Sequence, residues 1–193
     1  LGEEQSGHIR EVGFELYQSM LEEAVAAMKG GDLGEAEERW SPEIALGTSV
    51  LIPESYVGDL QLRLSLYRRL SSFEAREDIE DFATELVDRF GPMPPEVEHL
   101  LAVMEIKGLC RQAAIGKVDA GPKGAVITFH RNTFANPQGL VQFMQASRGL
   151  VKMQADHKVV FKADWDLPEK RMAGVKGLAG ELARIAREVK KAA

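Results

Sequence analysis

The chain has 193 residues, 45% of them hydrophobic and 28% charged, with a formal net charge of -6; this composition excludes a disordered or collagen-like chain and is ample for a core that needs no staple. Its single cysteine, Cys110, excludes an internal disulfide, and its apolar runs fall far short of the roughly 18 residues a membrane helix needs. No basic start followed by an apolar core marks a secretion signal, so a reducing cytoplasm is the expected setting. In chain order, residues 8–29 predict a helix, with Ile9, Val12, Leu16 and Met20 at helical spacing, Ser6 at the N-cap position and Gly30-Gly31 as the stop. Residues 30–43, GGDLGEAEERWSPE, read as a linker. They divide the chain into 1–43 and a domain over 44–193.

Residues 44–52, IALGTSVLI, alternate and predict a strand ended by Pro53. Gly58-Asp59 opens a helix carrying Leu60, Leu64, Tyr67 and Leu70. A further helix over 77–90 stops at Gly91, with PMPP behind it, and Pro94-Pro95 opens the next. The pattern then changes. IGKVD, AVITF, LVKMQA and KVVFKA are short strand-like runs, joined in pairs by hairpin turns at AGPKG and Asp156-His157. A helix over about 137–147 lies between the two hairpins, and a long amphipathic helix over about 168–191 ends the chain. The expected class is mixed α/β (α+β): helices followed by short antiparallel hairpins packed with a long C-terminal helix.

Catalytic signals are missing. There is no phosphate-cradling Gly-Lys-Ser/Thr loop and no nucleophile elbow. His8, His99, His130 and His157 are not spaced as metal ligands, and no metal or catalytic residue is expected. Charge is distributed unevenly: residues 1–100 hold 8 Lys/Arg against 22 Asp/Glu, and residues 101–193 hold 16 against 8. Within EDIEDFATELVDRFG, at about 100° per residue, Asp78, Asp81, Glu85 and Asp88 share a stripe roughly 80° wide. Ile79, Phe82, Ala83, Leu86, Val87 and Phe90 fall on an adjoining apolar arc, and Arg89 lies close to the stripe. Asp78 and Asp81 suit the positive end of the helix dipole; Glu85 and Asp88 sit where it disfavours them. Either the stripe is a solvated face or those two carboxylates meet a basic partner. Lys170, Arg171, Lys176, Arg184, Arg187, Lys190 and Lys191 on the last helix, with Lys152, Lys158 and Lys162 on the last hairpin, offer the alternative of a DNA-binding appendage.

The opening LGEEQSGHIREVG is similar to the tail of the translocation motif in the bacterial transcription-repair coupling factors, the Mfd family. GFELYQSMLEEAV, LIPESYV, LRLSLYRRL and ELVDRFGPMP follow in that family's order and spacing. The chain therefore resembles the family's C-terminal domain with the end of the motor attached, and the missing initiator Met fits a piece of a longer protein. The resemblance implies that Gly2, Gln5, Gly7 and His8 belong to the translocation motif and that helix 8–29 is the hook after it. It implies a parent ATP-dependent DNA translocase of helicase superfamily 2, whose ATP and Mg sites lie in motor lobes outside these residues. This piece is then no enzyme and holds no cofactor.

The family's C-terminal domain is expected to be regulatory. By resemblance it docks on the UvrB-like N-terminal module of the same protein, masking recruitment of UvrA and restraining the motor until RNA polymerase is engaged. Glu85 and Asp88 fall in the family's Glu-Leu-x-Asp-Arg-x-Gly motif, with Asp81, Asp78 and Arg89 beside them. DNA would be met through the parent motor, and no membrane is involved.

Overall fold

The computed structural model describes residues 40–73 and 75–190. The predicted helix 8–29, the linker as far as residue 39, and Gly2, Gln5, Gly7 and His8 lie outside the described residues. The chain divides into two compact units, one containing residues 49–104 and the other residues 40–48 with 105–190.

The first unit is helical. Helix α1 (Leu60–Ser72) starts at Asp59, whose side chain accepts a hydrogen bond from the Leu62 amide at 2.7 Å. Helix α2 (Arg76–Phe90) ends where the Gly91 amide donates to the Val87 carbonyl at 2.9 Å. Helix α3 (Pro95–Gln112) contributes its residues up to Met104. Leu66, Leu70, Phe82, Leu86, Val97 and Leu100 form the centre of one apolar cluster. The loop before α1 closes over it. Tyr67 Oη accepts from the Ile52 amide at 2.7 Å, and the Tyr56 hydroxyl reaches the carbonyls of Leu86 (3.1 Å) and Gly91 (2.9 Å). Arg63 donates to the Val57 carbonyl at 2.6 Å. The bonds at Ile52, Val57 and Gly91 serve backbone groups outside the helices, which no helical ladder reaches.

The second unit is a five-stranded sheet with helices against it. Its strands are β1 (Glu43–Ala45), β2 (Ile115–Gly121), β3 (Gly124–Phe129), β4 (Val151–Met153) and β5 (Val159–Lys162). Their order is β1-β2-β3-β5-β4, with β1 parallel to β2 and every other pair antiparallel. Ile44, Val118, Ile127 and Val159 form one row across four strands and are all buried. The next row, Ala45, Asp119, Val126, Val160 and Lys152, lies on the opposite face. Helix α4 (Pro137–Ala146) packs on β4 and on helix α5 (Pro168–Lys190), which also packs on β2. Asn136 joins the two helices: its Oδ1 accepts from the Gly139 amide (2.9 Å), and its Nδ2 donates to the Ile185 carbonyl (3.0 Å).

The mixed α/β class is as expected, and among the described residues the hairpins and helices begin and end within a residue or two of the expected places. The strand predicted over 44–52 is shorter. It stops at Ala45, because Gly47 takes φ +64, a left-handed conformation open to glycine at little cost. The Arg171 guanidinium, buried in this unit, donates to the Leu46 carbonyl and takes up the group that a continuing ladder would have used.

Candidate functional site

Helix α2 carries the four acidic residues singled out in the sequence, and the fold gives them different tasks. Asp78 is exposed and works locally: its Oδ2 accepts from the Ala75 amide at 3.2 Å, reaching back to the helix start. Asp81 and Asp88 are exposed, and among the described residues neither has an ion-pair partner. They lie seven residues apart, about 10 Å along the axis at 1.5 Å per residue. Glu85, between them, is engaged from two sides. Arg69 of α1 grips it with both terminal nitrogens, Nη1 to Oε1 at 2.9 Å and Nη2 to Oε2 at 2.7 Å. Arg89 of α2 adds a bond from Nη1 to Oε1 at 2.7 Å. Arg69 also lies over the Phe82 ring and Arg89 over that of Phe90, each 5.1 Å from the ring centroid. The expected poor placement of Glu85 near the helix C-terminus is thus offset within the chain. Val87, expected on the apolar arc, is 43% exposed beside Asp88.

The Arg69 hydrogen bonds, and then that of Arg89, hold the Glu85 carboxyl down to about 2. A carboxyl whose folded pKa is depressed stabilises the fold fully above its unfolded pKa and loses that effect as pH falls toward the folded value. The two guanidiniums are 47% and 45% exposed, so solvent screening leaves about 1 kcal/mol. Glu85→Gln is therefore expected to lower the urea midpoint at neutral pH, and the gap to the unmutated chain should close between about pH 5 and pH 2. A gap constant over that range would contradict the two-arginine clamp.

Little else resembles a reactive centre. Cys110 is buried, and burial pushes its thiol up to about 12, far from a usable thiolate. His130 stacks on Trp40 with centroids 4.3 Å apart and planes 8° from parallel. Among the described residues no group of three or more His, Cys, Asp or Glu is placed to hold a metal ion. Four of the basic residues singled out in the second half pair within their own unit. Lys170 pairs with Asp166 (2.9 Å), Lys158 with Asp156 (2.6 Å), Lys176 with Glu105, and Arg184 with Glu181 and Glu188. Arg171 is buried. Lys152 and Lys162 remain exposed on the last hairpin. No helix among the described residues is long and apolar enough to cross a membrane.

Residues 46–140, which include the Arg69–Glu85–Arg89 cluster, match the model of the TRCF domain family. The chain belongs to that family. The transcription-repair-coupling factor of Rickettsia bellii is 42% identical over 161 residues, 83% of this chain, and that of Escherichia coli 32% identical over 184 residues, 94% of this chain. The corresponding protein of Myxococcus xanthus is 33% identical over 163 residues. The chain spans 14% of the length of the Rickettsia bellii relative and 16% of the Escherichia coli one. A crystal structure of the C-terminal domain of a transcription-repair coupling factor has the same fold, with a TM-score of 0.63 and 20% identity over 79% of this chain and 98% of that one. The likeness is thus to the TRCF domain in sequence and to such a factor's C-terminal domain in fold. Three of the segments that carry the family likeness, LIPESYV, LRLSLYRRL and ELVDRFG, are the ones bonded to one another through Tyr56, Tyr67 and Arg63 in the helical unit. The likeness marks the frame that holds α1 and α2 as well as the acidic stripe.

Proposed function

We propose that this TRCF domain is a non-catalytic regulatory module. In this reading it docks, through the acidic face of α2, on a basic surface of the UvrB-like N-terminal module of its parent protein. Docking masks the surface that recruits UvrA and restrains the ATP-driven DNA motor until RNA polymerase is engaged. ATP and Mg belong to the motor lobes, this domain binds no cofactor, and it works in the cytoplasm. The observation that carries the proposal is the pair of exposed carboxylates, Asp81 and Asp88, that have no ion-pair partner among the described residues, on a helix bonded to Tyr56 and to Arg69. Such charges give orientation and specificity, and a bias of a few kcal/mol is enough for a switch. The basic second half supports the DNA-binding alternative less well, because Lys158, Lys170, Lys176 and Arg184 already pair within the unit and Arg171 is buried.

Calorimetric titration against the UvrB-like module of a full-length relative, at two salt concentrations, tests the proposal. Asp88→Ala is expected to weaken binding about tenfold without changing the fold, since the side chain is exposed. In the full-length protein, Glu85→Ala with Asp88→Ala should raise both UvrA binding and basal ATPase. Affinity indifferent to salt and to Asp88 would defeat the docking reading.

A further inference from the structure

We infer that docking through this face is an ion-pair exchange in which Arg69 competes with the partner for Glu85; the inference rests on the docking reading above. A carboxylate offers about four acceptor positions. Three on Glu85 are filled, two by Arg69 and one by Arg89, and its side chain is 30% accessible. An incoming cation therefore finds a single position left on Glu85, whereas among the described residues Asp81 and Asp88 stand open. First contact falls to the two aspartates, and two-pronged engagement of Glu85, which has one position left, follows only when an arginine gives way.

Arg69 is the one that can leave. It reaches Glu85 from another helix, 16 residues away in sequence; each guanidinium lies over a ring, so the helix of origin is what separates the two. Arg89 shares the helix with Glu85 at i,i+4 spacing, so it stays beside it whatever the partner does. The Arg69–Glu85 bridge thus stabilises the undocked domain and opposes docking. Removal of a cation next to an acidic docking face would by simple electrostatics improve binding slightly. Exchange adds a second effect, because it frees Oε2 of Glu85 and one of the two positions filled on Oε1, the other staying with Arg89.

The test is Arg69→Met, which keeps an unbranched stem over Phe82 and deletes the charge, titrated against the same UvrB-like module. Binding is expected to tighten about fivefold, with a steeper salt dependence because Glu85 is then free to pair across the interface. Arg69→Lys, which keeps the charge and cannot grip both oxygens, should tighten binding about twofold and guards against misfolding of the Met variant. Unchanged or weaker binding by a folded Arg69→Met chain overturns the exchange. If Asp88→Ala still weakens binding in that case, the docking reading survives and the face docks with the Arg69–Glu85 bridge intact. If the unmutated chain does not bind, or Asp88→Ala has no effect, docking itself fails and the exchange with it.

Discussion

Phe82→Ala is expected to destabilise the helical unit by about 3–5 kcal/mol, the usual cost of emptying a fully buried aromatic site. Phe82 is 1% exposed and lies in the cluster shared by α1, α2 and α3. Its ring meets that of Phe73 edge-on at 5.3 Å between centroids and forms the platform beneath the Arg69 guanidinium. The substitution therefore removes packing and also takes away the platform that positions Arg69 against Glu85. A loss of this size is a large part of the 5–15 kcal/mol that typically holds a domain together. Urea unfolding followed by circular dichroism should show a much lower midpoint, and α2 amides should exchange faster with solvent. Phe82→Leu, which refills most of the volume, should recover much of the stability. A midpoint within experimental error of the unmutated chain would mean that Phe82 is not the centre of this core.

Gly124→Ala is expected to be at least as damaging in the second unit. Gly124 opens β3 at φ +123, where L side chains are strained. A Cβ added there would stand 1.9 Å from the Phe161 carbonyl oxygen and 2.9 Å from the Ala163 amide nitrogen. Both neighbours are backbone, so no rotamer change relieves the overlap; β5 has to move away from β3. Paired strands lie only 4.7–4.9 Å apart, and separating them breaks a central ladder of this sheet. The expected cost is above about 4 kcal/mol, in the rare upper tail for single substitutions. Gly121→Ala, three residues earlier and with nothing within 4 Å of the added carbon, is the matched control and should be tolerated. Thermal unfolding of the two variants, with Trp165 fluorescence reporting on the second unit, separates them. Equal stability would show that β3 and β5 are not pressed together at Gly124.

Local chemistry made much of the architecture legible. Asp59 and Gly91 set the limits of α1 and α2 through bonds to residues no more than four positions away, and the Pro122-Lys123 turn sits between two alternating runs. Long-range partners were invisible. Arg171 reaches the Leu46 carbonyl from 125 residues away, and nothing in IALGTSVLI announces that contact. Lys107, 1% exposed with its Nζ 3.4 Å from Ser41 Oγ, breaks the expectation that lysine stays in water. The site was half legible. The helical projection put four carboxylates on one stripe, but it could not distinguish bridged Glu85 from open Asp88, because Arg69 belongs to another helix. The paired arginines of YRRL, lying beside the buried Leu70, were the available hint, and helical periodicity alone cannot match them to an acid on a second helix.

Strand β1 joins its sheet across an unusual span: Glu43 aligns with Lys117, and the whole helical unit lies between them in sequence. A chain emerging from the ribosome releases Glu43–Ala45 long before any strand exists for it to pair with. Closing so long a loop is entropically costly, and only three residues of parallel ladder repay it. The hairpins of β2–β3 and β4–β5 close locally and have no such delay. Nascent chains should therefore complete α1 and α2 first and the hairpins next, with β1 zipping on last. Until then the free flank of β2 is an open template for strands of other molecules. Expression conditions that slow this final step should show up first as aggregation.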